Sequence, residues 1–261
     1  MIKAVLFDLG ETLWHFPNMP SFDIIRGETV RRISDLLRSW GVDPGGERLF
    51  LGRDIRIAIE KADSEAYNSD CVSPHYPTLA RDAAARMGLD LSDEQALELW
   101  HIWNLGGIFL GRTLFSDAVP TLDWLRQRGC RVGAVTNRVL GGEPFRDELR
   151  HHGLLDCFEV LSISCDVGYM KPHPKIFEHA LDALDVSPQE AAMVGDSPRA
   201  DVGGAQALGM TAVWRRNNVD EATEDDLASE RGGNAELGEV KPDFVVDNLW
   251  EITELPIFRG A

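Results

Sequence analysis

Apolar residues follow two spacings along this chain, and each spacing predicts a different kind of element. Short continuous apolar runs bounded by turn residues, typical of buried strands, occur at residues 3–8, 131–136, 160–163, 191–194, 211–214 and 243–246. Helical spacing occurs over residues 24–40, 47–67, 79–87, 92–103, 119–128, 174–184 and 201–208. Strands that alternate with helices from about residue 115 onward predict an α/β fold with a doubly wound parallel sheet.

A long helical block separates the first predicted strand from the rest of the sheet. Residues 15–113 carry little strand pattern, so we predict that they form a helical domain inserted into the chain. Residues 1–14 and 114–261 then form the α/β core domain. Within the core, residues 217–241 are acidic with weak periodicity, which predicts a surface loop, with or without one short helix.

Four short polar segments occur in one order along the chain, and three of them follow predicted strands. The segments are Phe7-Asp8-Leu9-Gly10-Glu11-Thr12-Leu13, Val135-Thr136-Asn137, Met170-Lys171-Pro172 and Val194-Gly195-Asp196-Ser197-Pro198-Arg199-Ala200-Asp201. Open α/β sheets place their active sites at the carboxyl ends of the strands, so we expect these polar side chains to converge there. Together they supply three carboxylates, a hydroxyl with an amide, and a lysine. Such a set is suited to hold a divalent cation and a phosphoryl group.

The ordered segments resemble the motifs of the haloacid dehalogenase superfamily of hydrolases, over most of the chain. This resemblance implies a Rossmann-like core with a helical cap domain after the first strand. It also implies that Asp8 is the nucleophile and that Lys171 steadies the nucleophile and the substrate. The predicted site comprises catalytic Asp8, Thr136 and Lys171, substrate-binding Thr136, Asn137 and Lys171, and, for Mg²⁺, Asp8, the carbonyl of Gly10, Asp196 and Asp201.

Gly10 is the main departure from that family pattern. Well-studied members usually carry a second aspartate two residues after the nucleophile, where it acts as general acid and base. Without it, the leaving group must take its proton from elsewhere, with Glu11, His15, a residue of the cap domain and solvent as the candidates. General acid catalysis contributes about 10²–10⁴-fold to a rate, so we expect slow turnover.

Three functions from different classes fit these residues. The leading hypothesis is a magnesium-dependent hydrolase of a small-molecule phosphate monoester that forms an aspartyl-phosphate on Asp8. The second is a 2-haloacid dehalogenase, which needs no metal. Family dehalogenases typically carry tyrosine at the position of Gly10 and lack the aspartate at Asp196, so both residues argue against it. The third is a low-activity or non-catalytic phosphate-binding protein, which only Gly10 supports.

The amino-acid composition excludes some classes of binding partner but says little about the activity. The 261 residues are 44% hydrophobic and 26% charged, which is typical of a soluble globular protein. A net charge of −17 argues against nucleic acid and anionic membranes as partners. The four cysteines form no CxxC pair, no apolar run approaches a membrane span of ~20 residues, and no signal-peptide pattern appears, so we predict a cytoplasmic protein. A monomer and a homodimer both remain open.

Overall fold

The computed structural model describes residues 1–216 and 240–258, so most of the loop predicted at residues 217–241 lies outside the described residues. The strands are β1 Ala4–Phe7, β2 Trp14–His15, β3 Thr113–Leu114, β4 Arg131–Thr136, β5 Val160–Ile163, β6 Ala191–Gly195, β7 Thr211–Arg215 and β8 Phe244–Val246. The α-helices are α1 Phe22–Ser39, α2 Leu51–Tyr67, α3 Tyr76–Ala85, α4 Asp93–Trp103, α5 Gly106–Phe109, α6 Ala118–Gln127, α7 Gly142–His151, α8 Ser164–Val167, α9 Pro174–Ala183 and α10 Gly204–Ala207. Short 3₁₀ segments lie at Gly46–Phe50, Leu155–Cys157, Pro188–Glu190, Leu249–Glu254 and Pro256–Phe258, and a π-helical turn at Pro198–Gly203.

The six predicted strands all occur, each within one residue of its expected bounds. The structure differs from the single helix predicted over residues 201–208. A π-helical turn begins earlier, at Pro198, and the backbone becomes α-helical only at Gly204. Helices α5, α7 and α8 and the two-residue strands β2 and β3 were not predicted. Helix α4 begins with a capping box: the Ser92 side chain accepts from the Gln95 amide, and the Gln95 side chain accepts from the Ser92 amide.

The chain divides into two compact units. Unit 1 comprises Met1–His15, Thr113–Asn137 and Leu149–Ala261, and unit 2 comprises Phe16–Arg112 and Arg138–Glu148. Residues 138–148, which the predicted core domain includes, therefore group with the helical unit. Among residues 1–216 and 240–258, every helix is too short or too polar to span a membrane.

Unit 1 is built on a six-stranded parallel sheet with the strand order β5-β4-β1-β6-β7-β8. From β1 at its centre, the chain adds β4 and β5 on one side and then returns to add β6, β7 and β8 on the other. This winding in two directions confirms the predicted doubly wound α/β fold. Strand β1 is entirely buried, as the continuous apolar run Ala4-Val5-Leu6-Phe7 requires.

Helices cover the sheet and close its hydrophobic core. Helix α9 contributes Ile176, Phe177 and Ala180 to a buried cluster that also contains Leu6 and Met193 of the central strands. Because β1 is buried between β4 and β6, the polar residues that follow it stand on a firmly packed base.

Unit 2 packs α1 and α3 each against both α2 and α4. Its interior contains a stack of aromatic rings, with Trp100 lying 5.2 Å from Tyr76 and 5.5 Å from Trp103 between ring centroids. The Trp103 indole N–H donates to the carbonyl oxygen of Gly52 over 2.8 Å. These aromatic residues therefore form part of the packing of unit 2.

A buried ion pair joins the two chain segments of unit 2. The Nη1 atom of Arg112 lies 2.8 Å from Oε2 of Glu148, and the amide of Gly107 donates to Oε1 over 2.8 Å. The Arg112 side chain is fully buried, and burial, together with repulsion from Arg138, lowers its pKa to about 10 against the attraction of Glu148. A buried charge of this kind depends on its partner for compensation.

Candidate active site

The site lies at the carboxyl edge of the unit 1 sheet, where β1, β4 and β6 end. Asp8 directly follows β1, and its amide donates to the carbonyl oxygen of Val194 on β6 over 2.8 Å. Thr136 is the buried last residue of β4, and the parallel register that pairs Phe7 with Ala134 places it beside the same edge. Asp196 directly follows β6. Three of the predicted residues are thus brought together by neighbouring strands.

Lys171 stands at the centre of the site and joins two of its carboxylates. Its Nζ atom donates to Oδ1 of Asp8 over 2.5 Å and to Oδ1 of Asp201 over 2.7 Å. All three side chains are nearly inaccessible to water, with exposed fractions of 3%, 10% and 1% for Lys171, Asp8 and Asp201. The lysine therefore holds the Asp8 carboxylate in one orientation and offsets part of the negative charge.

Asn137 positions Lys171 through its main chain. The Asn137 side chain donates to the carbonyl oxygen of Lys171 over 3.0 Å and accepts from the Lys171 amide over 2.7 Å. This pair of bonds ties the end of β4 to the segment that carries the lysine. The predicted contact of Asn137 with substrate stays a prediction, and its observed partner is the lysine backbone.

Asp201 reaches the site from the π-helical turn that follows β6. Its Oδ2 atom accepts from the amide of Ser197 over 2.9 Å, while Oδ1 accepts from Lys171. The turn passes so close to the strand end that a Cβ atom on Gly195 would lie 2.2 Å from the Asp201 carboxyl carbon. Glycine at position 195 is therefore needed to leave room for this carboxylate.

The three carboxylates can converge on one ion. Asp8, Asp196 and Asp201 each offer an oxygen atom, and these atoms all lie within 4.8 Å of one another. Burial, and after it repulsion from Asp8 and Asp201, raises the pKa of Asp196 well above its usual value. Burial also raises the pKa of Asp201 to about 6, against the attraction of Lys171. These carboxyls repel one another, and a cation between them would relieve that repulsion.

Lys171 keeps its proton in this environment. Burial disfavours its charged form, but attraction to Asp201 and Asp8 outweighs burial and raises its pKa above the usual value for lysine. A group with so raised a pKa is a poor proton donor at neutral pH. The lysine can therefore neutralise charge and orient Asp8, and it is unsuited to protonate a leaving group.

The turn after Asp8 explains how Gly10 and Glu11 are arranged. The amides of Leu13 and Trp14 both donate to the carbonyl oxygen of Leu9, which closes a tight turn around these two residues. Glu11 lies in the left-handed region with φ of 53°. Its carboxylate adds to the charges that raise the pKa of Asp196. His15, the other protein candidate for the missing acid, stacks on Phe115 with 4.4 Å between ring centroids.

Thr12 is a site residue to which the sequence analysis gave no role. Its fully buried hydroxyl lies 3.4 Å from Oδ2 of Asp8 and 3.5 Å from Oδ1 of Asp196. It therefore stands between the two carboxylates that come from different strand ends. The available signal was its position four residues after Asp8 within the same polar segment.

The fold and the site together define an α/β protein with three clustered carboxylates at the carboxyl edge of its parallel sheet, two of which are bonded to a buried lysine. A family model described as haloacid dehalogenase-like hydrolase matches residues 2–209, and a second, described as HAD-hydrolase-like, matches residues 168–252. The chain therefore belongs to the haloacid dehalogenase-like hydrolases, and the resemblance that its motifs carry is confirmed.

Its relatives include phosphatases and a dehalogenase. The chain is 28% identical over 262 residues to a glyceraldehyde 3-phosphate phosphatase of Methanopyrus kandleri, a match that covers 98% of this chain and 97% of that protein. It is 39% identical over 139 residues to a phosphoserine phosphatase of Thermus thermophilus, and that match spans 53% of this chain and 49% of the relative. A solved structure of a 2-haloacid dehalogenase from Pseudomonas syringae is 26% identical, with a TM-score of 0.62 over 97% of each chain. The predicted enzyme class, a phosphatase-like hydrolase of this family, is confirmed by the family match and the phosphatase relatives.

Proposed function

We propose that this protein hydrolyses a small-molecule phosphate monoester, with Asp8 as the nucleophile and Mg²⁺ as the cofactor. The observation that carries the proposal is the buried bridge from Lys171 to Asp8 and Asp201, beside a third carboxylate on Asp196. A lone buried carboxylate would be repelled by a phosphate. Here the ammonium group of Lys171 already lies against the nucleophile Asp8, and the acidic cluster is suited to bind a second cation.

The donor set fits magnesium. Mg²⁺ prefers oxygen ligands and is usually held by one or two carboxylates, with water completing its shell. Asp8, Asp196 and the carbonyl of Gly10 would hold it, and Asp201 would orient Lys171 or a water molecule beside it. When bound, the ion offsets the negative charge of the phosphoryl oxygens as the nucleophile approaches.

Hydrolysis then proceeds in two displacements at phosphorus. A carboxylate oxygen of Asp8 forms a bond to phosphorus while the bond from phosphorus to the alcohol oxygen breaks, and that oxygen takes up a proton. Water then attacks the phosphorus of the aspartyl-phosphate, which releases phosphate and restores the Asp8 carboxylate. Thr136, together with main-chain amides at the end of β4, binds the phosphoryl oxygens. Since Gly10 offers no acid, the proton comes from Glu11, His15, a residue of the cap domain or solvent, and turnover of alkyl esters is slow.

We also propose a domain assignment for each of the two units and a cytoplasmic location for the protein. Unit 1 is the core domain, and unit 2 corresponds to the helical cap domain that the family resemblance implies. The four cysteines are all free, and three of them are buried, which supports a reducing cytoplasmic compartment. A monomer and a homodimer both stay open.

Hydrolysis of p-nitrophenyl phosphate tests the proposed function. We expect release of nitrophenolate with Mg²⁺, loss of activity with a chelator, and loss of at least about 10³-fold in Asp8→Asn. Asp182→Asn, an exposed aspartate on α9, is the matched control and should retain full activity. A wild-type protein that cleaves neither this ester nor a panel of metabolite phosphates would refute the proposal.

A metal-independent 2-haloacid dehalogenase is the second candidate, because the Pseudomonas syringae neighbour covers 97% of the chain. In that reaction, Asp8 would attack the carbon that bears the halogen, and halide would leave. Halide release from 2-chloropropionate that a chelator does not reduce would favour this function over phosphate hydrolysis. Binding of a beryllium fluoride phosphate mimic, without turnover of either substrate class, would favour the non-catalytic alternative.

A further inference from the structure

The last two residues of β7, Trp214 and Arg215, each reach a loop that carries a proposed metal ligand. The indole N–H of Trp214 donates to the carbonyl oxygen of Asp196 over 2.9 Å. The Nη1 atom of Arg215 donates to the carbonyl oxygen of Glu11 over 2.6 Å. Adjacent positions on one strand are thus bonded to the loop after β6 and to the loop after β1.

Arg215 is held firmly enough to serve as an anchor. The residue is 6% exposed, and its guanidinium carbon lies 3.9 Å from the centroid of the Phe115 ring. The amide of Phe115 in turn donates to the carbonyl oxygen of Leu13, at the far end of the same loop. Burial lowers the pKa of Arg215, and attraction to the carboxylates of Asp117, Asp196 and Glu11 opposes that shift.

The contact with Glu11 bears directly on Gly10. Glu11 occupies the left-handed region, which is unfavourable for residues with a side chain, and the bond from Arg215 stabilises its carbonyl in that conformation. The Gly10 carbonyl and the Glu11 amide share one planar peptide group. Fixing the backbone of Glu11 therefore fixes the direction of the Gly10 carbonyl.

We propose that Trp214 and Arg215 are positioning residues for the metal site, an inference that rests on the proposed function. By bonding one carbonyl in each ligand-bearing loop, the end of β7 sets the separation between the Gly10 carbonyl and the Asp196 carboxylate. Neither residue touches the reacting atoms. They arrange the oxygen ligands before Mg²⁺ binds. The free energy of binding is then not reduced by the need to order two loops.

Calorimetric titration with Mg²⁺ alone, in the absence of substrate, tests the inference. Trp214→Phe keeps an aromatic side chain and the net charge but removes the donor, and we expect the Kd for Mg²⁺ to rise about three- to tenfold, the effect of one hydrogen bond. Arg215→Lys keeps the charge and one donor and should raise Kd less than Arg215→Met, for which we expect about tenfold. Arg216→Met is the matched control: it removes an exposed ion pair with Asp247 at the next position and should leave Kd unchanged.

The outcomes separate positioning from other roles. If Trp214 and Arg215 contributed only to stability, the variants would unfold at a lower temperature but bind Mg²⁺ with unchanged Kd, and the inference would be wrong. If repulsion between Arg215 and the ion dominated, Arg215→Met would bind more tightly, which also overturns it. If the wild type responds to Mg²⁺ and Trp214→Phe titrates identically, only this inference fails. If the wild type shows no Mg²⁺ binding, the inference fails together with the metal requirement of the proposed function.

Discussion

Replacing Gly10 with aspartate probes the position at which this chain departs from the usual pattern of its family. A Cβ atom built on Gly10 meets only the Trp14 indole nitrogen within 4 Å, at 3.9 Å, which is an ordinary contact. The backbone at Gly10 is not in the left-handed region that disfavours other residues. A Cβ atom therefore fits at this position without displacing the turn. Since Gly10 lies two residues after Asp8, we expect the new carboxyl group to lie beside the acidic cluster.

The expected gain follows from general acid catalysis. Nearby carboxylates raise the pKa of an added carboxyl group, which favours a protonated acid near neutral pH. General acids contribute about 10²–10⁴-fold, and we expect the lower end, about 10²-fold in kcat/KM for an alkyl phosphate, or about 2.7 kcal/mol of transition-state stabilisation. A nitrophenolate leaving group needs little protonation, so p-nitrophenyl phosphate should gain less than about fivefold.

The assay compares an alkyl phosphate with p-nitrophenyl phosphate for the wild type, Gly10→Asp and Gly10→Asn. Asparagine matches the shape of aspartate but supplies no acidic proton, so it is the matched control. Circular dichroism establishes that each variant is folded. An unchanged or lower rate with the alkyl ester in folded Gly10→Asp would refute the reasoning, and so would an equal gain in Gly10→Asn.

Three further predictions concern stability and the geometry of the site. Glu148→Gln leaves a buried arginine without a full counter-charge and should lower the free energy of unfolding in urea by about 3 kcal/mol, whereas the control Glu60→Gln, at an exposed pair, should cost less than about 1 kcal/mol. Because the pKa of Asp201 is about 6 in the folded protein against 3.8 ordinarily, this group should lower the unfolding free energy of the metal-free protein by on the order of 3 kcal/mol as pH rises from about 4 to 7. Asp201→Asn should reduce that slope in urea titrations, and the raised pKa of Asp196 contributes the slope of the same sign that remains. Gly195→Ala forces the Asp201 carboxylate to move and should cost about 1–3 kcal/mol of stability and most of the phosphatase activity, as measured by thermal unfolding and nitrophenolate release.

The sign of the pH effect distinguishes it from ordinary acid denaturation. Between about pH 4 and 6 the Asp201 carboxyl stays protonated in the folded protein while it ionises in the unfolded chain, so folding is favoured at the lower pH. The partly buried carboxyls of Glu28 and Glu190 have folded-state pKa values lowered from 4.5 to about 2, so they give a slope of the opposite sign, which ends near pH 4.5 where they ionise in the unfolded chain. Stability that is constant or increases from pH 4 to 7 in the metal-free protein would contradict the assignment of a raised pKa to Asp201.

The sequence by itself determined the strands, the winding of the sheet and the order of the site segments. Buried strands are short continuous apolar runs, and this signal is local, so β1 and β4 were predicted to within one residue. Polar residues directly after such runs must stand at the carboxyl edge of a parallel sheet. For this reason Asp8, Thr136 and Asp196 were correctly expected at one edge.

Helix α7 was not predicted because its local sequence signal is weak. Phe145 and Leu149 are buried and four residues apart, as on one face of a helix, but most of the residues around them are charged or polar. Two apolar positions in ten are a weak periodic signal. The tertiary structure decides this element, because burial of that narrow apolar face stabilises it.

Only the tertiary structure decided which side chains act together. Lys171 and Asp8 are 163 residues apart, and nothing in their spacing shows that the ammonium group joins Asp8 to Asp201. The same holds for Thr12 between two carboxylates and for Arg215 against the Glu11 carbonyl. A sequence pattern reports the environment of each residue along its own element. Hydrogen bonds and charge pairs between elements depend on the register and separation of strands, which are set when the sheet packs.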